Sequence, residues 1–490
     1  MFELGKTLKK YVVSTGYSIR TAAKTLNYDR GTLNSILNGK RKISGELFVQ
    51  IIDLLDITEQ ERQDLIELYH KEIYGDDYEV FNEIKRSLNG YNDTFFYDEL
   101  ISFENIPVNE EKLNDKCIID GEMMVKEAVQ GVIALEMQKK HPCIWFNVDL
   151  LQYNLLHMMH LPYRNLREKI DLKNIVCFST GENNKYTNFK LLSSLFPIMF
   201  DGYCPYYCFA EANIQSDLSL IFPYYIITSD RVILISNKIN KAMLFTNENR
   251  EIIDIYKNQF LSNIEKCKKF SSKFYDLPEL PSVFSGCLSK MTAFSGVSSG
   301  LCILPLLSKE HWMHIFSESE IDNYEHLIDE SIKIYKQLTN TSKDSEINTK
   351  NFAPVEGIRR FIKTGKDELF ISNDYTEPLT VKQRIEILER ILNYIKAGGE
   401  YKFYEAEFLD IKFDINLIAS EILLYNVNSV TNKKNFCCTI DVPRKLLSIF
   451  ESFLDMLSKN YFVLSKDRSI KALEDGIEEA KLMLNGIDSN

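Results

Sequence analysis

The sequence predicts a multidomain chain, with an all-α N-terminal unit followed by a large α+β body of mixed helix and strand. Three observations carry this expectation. Residues 3–74 hold apolar side chains at helical spacing throughout, punctuated by capping residues. From about residue 76, β-rich runs such as YYIITSDRVILIS (224–236) alternate with amphipathic stretches. At 490 residues the chain is also longer than one hydrophobic core serves.

The N-terminal helices follow in order. Leu4, Leu8, Tyr11 and Val12 recur on one helix face, and Ser18 caps a second helix over about 18–26. Asn27-Tyr28 breaks it, and a third helix runs from Asp29 to about Leu37, where Gly39 supplies a left-handed stop. A fourth covers about 44–55. Thr58 and Glu61 form a capping box for a fifth, reaching about Tyr74.

Beyond it, Ser229-Asp230 make a turn between two β-rich segments, and helices are expected at Glu251–Lys269, Asn323–Leu338, 354–364 and 380–397. A β-like stretch at 400–426 precedes two closing helices, about 443–459 and 466–484. The polar run 339–351 reads as a linker or long loop. The expected division is therefore 1–75, 76–338, the linker 339–351 and 352–490. No fixed-period repeat is visible, which argues against a helical solenoid.

Charge is distributed unevenly. Residues 1–45 carry nine basic side chains against two acidic ones, a net +7, so the remaining 445 residues sum to −19 and the whole chain to −12. A basic head on an acidic body is the pattern of a chain that docks a polyanion at one end. The first residues lack an apolar signal segment, and SLIFPYYIITS (219–229) is too short to span a membrane. Ten cysteines at irregular spacings fit free thiols in a reducing cytoplasm.

The stretch AAKTLNYDRGTLNSILNGKR (22–41) has the parts of a DNA-reading helix pair. Ala22 and Ala23 permit close packing of a bracing helix, and Asn27-Tyr28 is a short polar turn. Leu33, Ile36 and Leu37 face inward, while Arg30, Thr32, Asn34 and Ser35 offer donors and acceptors to base edges. Asn38, Lys40 and Arg41 are placed to clamp phosphate.

Residues 3–57 resemble the lambda-repressor-like, XRE-type helix-turn-helix, including the Asn38-Gly39-Lys40 sequence after the reading helix. The resemblance implies base contacts from Arg30, Gly31, Thr32, Asn34 and Ser35. It implies phosphate contacts from Ser18 and Arg20 in addition to Asn38, Lys40 and Arg41. Two positions depart from the pattern: Arg30-Gly31 stand where glutamine is frequent, and Leu37 replaces a frequent acidic residue.

Other constellations are weaker. Gly296-Val297-Ser298-Ser299-Gly300 matches a nucleophile-elbow pattern, but the preceding CLSKMTAFS is a poor strand by composition. His157/His160, His311/His314, Cys204/Cys208 and Cys437-Cys438 lack the further ligands that a metal site needs. Gly365-Lys366 lacks the rest of a phosphate loop. No catalytic residue, metal or cofactor is therefore assigned.

The expectation is a cytoplasmic, dimeric bacterial transcriptional regulator that binds double-stranded DNA through residues 1–45. Its acidic body would sense a small-molecule or peptide effector or mediate assembly. The rival expectations are a toxin or phage-defence effector with a DNA-binding head, and a peptide-pheromone-responsive regulator.

Overall fold

The computed structural model describes residues 2–94, 117–153, 168–180, 184–200, 202–209, 221–275, 293–303, 306–315, 348–366, 377–418, 422–427 and 436–487, together with isolated residues between 108 and 113, 155 and 159, and 328 and 332. The expected helical pair His157/His160, and most of the helix expected at 323–338, lie outside the described residues.

The head consists of α1 (Glu3–Ser14), α2 (Ile19–Thr25), α3 (Arg30–Leu37), α4 (Gly45–Leu54) and α5 (Glu59–Tyr74). Local chemistry sets each boundary. Ser18, Asp29, Ser44 and Thr58 accept a backbone N–H at the starts of α2 to α5, and Thr58 and Glu61 complete a reciprocal capping box. Three of these helices end alike. Gly16, Asn27 and Gly39 have positive φ, and the residue after each donates back to the carbonyl five residues earlier.

A turn of 3₁₀ helix leads from α5 into α6 (Tyr78–Thr94), which packs on α5 and on two body helices, α8 (Lys185–Phe200) and α14 (Arg444–Ser458). The head is thereby built into the body. Tyr69, His70 and Tyr74 of α5 meet Phe48, Phe81 and Phe462 in one aromatic cluster, and Phe81 stacks on Phe453 at 5.1 Å. Tyr74 Oη accepts from the buried Asn460 Nδ2 at 2.7 Å. At the rim Arg62 pairs with Glu407 at 2.6 Å and lies over Phe408. Gly45 sits so close to Tyr461 that a Cβ would fall 2.0 Å from its ring.

Among the described residues, the body contains two mixed sheets. The first has eight strands: β1 (Ile118–Asp120), β2 (Cys143–Asn147), β3 (Asp171–Phe178), β4 (Tyr206–Phe209), β5 (Tyr224–Ile227), β6 (Val232–Ile235), β7 (Lys241–Phe245) and β8 (Lys268–Lys269), in the order β1-β7-β6-β5-β2-β3-β4-β8. The second has seven: β9 (Ser271–Tyr275), β10 (Ala293–Val297), β11 (Asn348–Pro354), β12 (Glu400–Tyr404), β13 (Asp414–Ile418), β14 (Ile422–Val427) and β15 (Phe436–Asp441), in the order β12-β11-β10-β13-β14-β15-β9.

The two sheets share one topology. In the first, β2, β3 and β4 run parallel, and β5, β6 and β7 form an antiparallel meander that leaves β2 and ends against β1. In the second, β10, β11 and β12 run parallel, and β13, β14 and β15 leave β10 and end against β9. A helix follows each meander, α9 (Arg250–Ile264) and α14, and the chain then pairs antiparallel with the outer parallel strand. It does so as β8 on β4, and as Val463 bridging Tyr404. The body is a tandem repeat of one sheet plan. Only Phe270 separates β8 from β9, so a single extended segment closes the first sheet and opens the second. Phe270 is buried against Tyr207, and its N–H donates to Pro205 O.

This pairing corrects the expected organisation. The second sheet takes strands from both sides of the polar run, so the boundary at 339–351 passes through it, and residues 348–351 open β11. Local composition marked a polar segment but carried no information on its pairing. The helix expected at Glu251–Lys269 ends at Ile264, leaving Lys268–Lys269 to β8. The remaining helices among the described residues are α7 (Glu122–Met137), α10 (Lys309–Ile315), α11 (Val355–Thr364), α12 (Val381–Lys396), α13 (Ala406–Leu409) and α15 (Lys466–Ile487). Gly365 closes α11 in the left-handed conformation, which gives Gly365-Lys366 a structural role. Among the described residues, no helix is long and apolar enough to cross a membrane.

His70 yields a pH prediction. It is buried at the head–body junction, and its Nε2 has no hydrogen-bond partner among the described residues. Burial, reinforced by Lys85, pushes its pKa down to about 3. The unfolded chain takes up that proton near pH 6.5, so this stabilising contribution is complete above 6.5 and declines as pH falls toward 3. Urea unfolding at pH 7 and pH 5 should show a loss of about 2 kcal/mol from this group. His70→Leu should remove that part of the pH dependence.

Candidate nucleic-acid interface

The interface is built from the α2–α3 pair. Ala22 and Ala23 are buried between the helices, and Leu33, Ile36 and Leu37 turn the apolar side of α3 into the head core. The backbone of α1 crosses α3 closely at Gly5, where a Cβ would lie 2.1 Å from the Ile36 carbonyl oxygen. With its apolar side fixed, α3 presents its polar side outward. Arg30, Gly31 and Asn34 are exposed, and Thr32 and Ser35 are partly exposed. These are the five residues expected nearest the bases, and none is buried.

The residues expected at phosphates border the same surface. Ser18 and Arg20 are exposed at the start of α2, and Lys40 and Arg41 are exposed just past α3. Ser18 Oγ also accepts from the Thr21 N–H at 3.1 Å, so the cap and any phosphate contact share one hydroxyl. Asn38 is engaged within the protein. Its Nδ2 donates to Asn34 O at 2.7 Å and to Asn34 Oδ1 at 2.9 Å, while its Oδ1 accepts from Lys9 Nζ at 2.8 Å. This network fixes Asn34 before any ligand arrives, a role that spacing alone did not suggest.

Asp29 starts α3 by accepting from the Thr32 N–H at 2.7 Å, and hydrogen bonds from Thr32 hold its carboxyl below the usual range. Its carboxylate is committed to the helix N-terminus. Tyr28, exposed in the turn, was not among the expected contacts. Its position between two predicted contact groups is the signal that marks it.

The body carries a second feature of note. Beside the carboxyl end of β10, a small cleft of mixed lining is bordered by Gly296, Val297, Ser298, Phe352, Asp414 and Asn416. Contrary to the composition argument, the segment before the serines is a strand, because β10 is held between β11 and β13. Ser298 is buried and its hydroxyl donates to Gly300 O at 2.8 Å. Asp414 Oδ1 accepts from both the N–H and the hydroxyl of Ser299, at 2.6 and 3.0 Å. A buried serine bonded to a loop carbonyl is not displayed as an elbow nucleophile is. His311 bonds Ser308 Oγ at 2.6 Å and His314 meets Pro378 O at 3.1 Å, so each ring has its own partner. Among the described residues, no cluster of His, Cys, Asp and Glu could hold a metal.

Residues 3–65 match the family model described as a helix-turn-helix domain. No curated protein matches the chain. Among solved structures, the chain is similar to the phosphatidylserine synthase of Haemophilus influenzae Rd KW20, with 12% identity, a TM-score of 0.23, and coverage of 76% of this chain and 98% of that one. It is also similar to TrmBL2, an archaeal chromatin protein described as showing a novel mode of DNA binding, with 11% identity, a TM-score of 0.22, and coverage of 46% of this chain and 73% of that one. At these scores neither likeness carries an argument. The head is a helix-turn-helix domain, and the large body is mixed helix and strand.

Two glycine substitutions, one on α3 and one on α1 where it crosses α3, should act in opposite directions. At Gly31 a Cβ meets only Asp29 Oδ1, at 3.4 Å, and φ is not positive, so Gly31→Ala should stabilise by about 0.5–1 kcal/mol. Gly5→Ala forces α1 away from α3 and should cost roughly 1–3 kcal/mol or more. Thermal melts of the two variants check the sign of each.

Proposed function

We propose that the chain is a sequence-specific DNA-binding transcriptional regulator of the XRE type, in which α3 reads bases and the body receives the regulatory signal. One observation carries the reading: the exposed polar side of α3, held rigid by a buried apolar side, in the part of the chain where net charge is +7. Arg30 and Asn34 supply base-edge contacts, each good bidentate pair being worth about 1–3 kcal/mol of discrimination. Ser18, Arg20, Lys40 and Arg41 supply salt-dependent phosphate affinity.

The body serves assembly and sensing in this reading. A homodimer formed through it would place two reading helices about one DNA turn apart, roughly 34 Å. An effector regulates only through different affinities for two arrangements of the paired heads. The chain is a binding protein in this account, and no catalytic role is assigned.

The test is binding to the gene's own upstream DNA, titrated with salt. The wild type should prefer that DNA over scrambled sequence, and Arg30→Ala combined with Asn34→Ala should lose the preference while keeping weak general affinity. Lys40→Ala with Arg41→Ala should weaken binding to all sequences alike, reducing the salt slope by about 0.9 per lost phosphate contact. Equal, sequence-indifferent binding by wild type and the Arg30/Asn34 double variant would overturn the assignment of α3.

A further inference from the structure

Cys177 and Cys208 are 31 positions apart in sequence, yet β3 and β4 bring them to directly paired positions in parallel register. Side chains at paired positions of neighbouring strands leave the sheet on the same face. Their sulfurs stand 3.0 Å apart. Cys177 is exposed, whereas Cys208 is buried in the core under α9. Cys267, just past the end of α9, packs against that core and donates its S–H to Asn263 O at 3.2 Å.

A cysteine buried among apolar groups is normally inert. This pair differs in two respects. One of the two residues is exposed, and its sulfur touches the other. Paired strands also hold their backbones about 4.7–4.9 Å apart, inside the range of about 4.4–6.8 Å that a disulfide spans.

We propose that Cys177 and Cys208 are an oxidisable dithiol whose co-substrate is a hydroperoxide and whose product is a disulfide between β3 and β4. The Cys177 thiolate attacks the outer peroxide oxygen. The S–O bond forms as the O–O bond breaks, giving a sulfenic acid and an alkoxide or hydroxide that leaves protonated. The Cys208 sulfur then attacks the Cys177 sulfur, the S–S bond forms, and the S–O oxygen departs as water with the Cys208 proton. The two sulfurs lose two electrons in total, and the peroxide gains them.

The division of roles follows from the surroundings. The hydrogen bond from Cys208 holds the Cys177 thiol below its ordinary range, while Cys177 and Cys267 together raise Cys208. Cys267 is lowered in the same way, but only Cys177 stands in strand register with Cys208 and is exposed, so within the strand pair Cys177 is the sulfur that becomes the thiolate, and the thiolate is the nucleophile. The bond would form two residues from Ser179, whose N–H and carbonyl are both hydrogen-bonded to Asn188 of α8. Since α8 packs on α6, the dithiol lies on the strand whose end anchors a helix touching the head's connection to the body.

The experiment uses the reduced full-length protein, treated with hydrogen peroxide, alkylated without reduction and mapped by mass spectrometry. A Cys177–Cys208 peptide pair, lighter than the reduced peptides by two hydrogens and restored by dithiothreitol, is the expected product. In Cys208→Ser the sulfenic acid should persist on Cys177 and be trapped by dimedone. Cys117→Ser, which removes another exposed thiol, should leave the yield of the linked pair unchanged. Cys177→Ser changes an exposed residue, so it should melt like the wild type and form no link. Dimedone labelling of Cys117 with Cys177 untouched, or a wild-type product joining Cys208 to Cys267, would overturn the proposal.

Discussion

The arrangement of the whole molecule depends on one buried contact, the seating of α5 against Phe462. Phe462 stacks on Phe408 at 4.1 Å and meets Tyr69 and His70 of the head. Aromatic rings bury large areas and prefer offset or edge contacts of this kind, each worth about 0.5–1.5 kcal/mol beyond burial. The Tyr74–Asn460 hydrogen bond sets the register within that apolar surface, because an unpaired buried amide there would cost about 1–3 kcal/mol. The head is consequently a fixture of the body, and α3 is presented at one orientation.

The repeated sheet plan gives that fixture its support. Each half encloses a parallel three-strand block and an antiparallel meander, and the helices α6, α8 and α14 pack against one another. The segment 462–464 does two jobs. It pairs with β12 as the second repeat's counterpart of β8, and it supplies Phe462 to the head. A strain introduced in the second sheet therefore has a short physical route to α5. In the proposed function a signal would reach DNA through the relative placement of whole subunits, since the head is seated on the body through Phe462.

The head was legible in the sequence because its boundaries are local. Ser18, Asp29 and Thr58 announce helix starts, and Asn27 and Gly39 announce ends, so the second to fifth expected helices match within a residue or two. The polar side of α3 was legible for the same reason. What escaped was contact between distant segments. Gly5 carries no sign that Ile36 lies against it, and Asn38 gives no hint that it will orient Asn34. In the body, β9 pairs with β15 and β1 with β7 across more than a hundred residues, and no local pattern encodes such partners. The repeat was hidden because it is conserved in strand order, with connections of different length. Strand β10, rich in small residues, read as a poor strand until its neighbours were known.

The central claim is that a rigidly mounted α3 is the surface that meets DNA. Amide hydrogen exchange of the full-length protein, with and without upstream DNA, tests it most directly. Protection should appear over the turn, α3 and the segment just past it, residues 27–41, while α5 and the Phe462 segment are already slow to exchange and stay so. Protection confined to the body, with residues 27–41 exchanging as fast as in the free protein, would contradict the account.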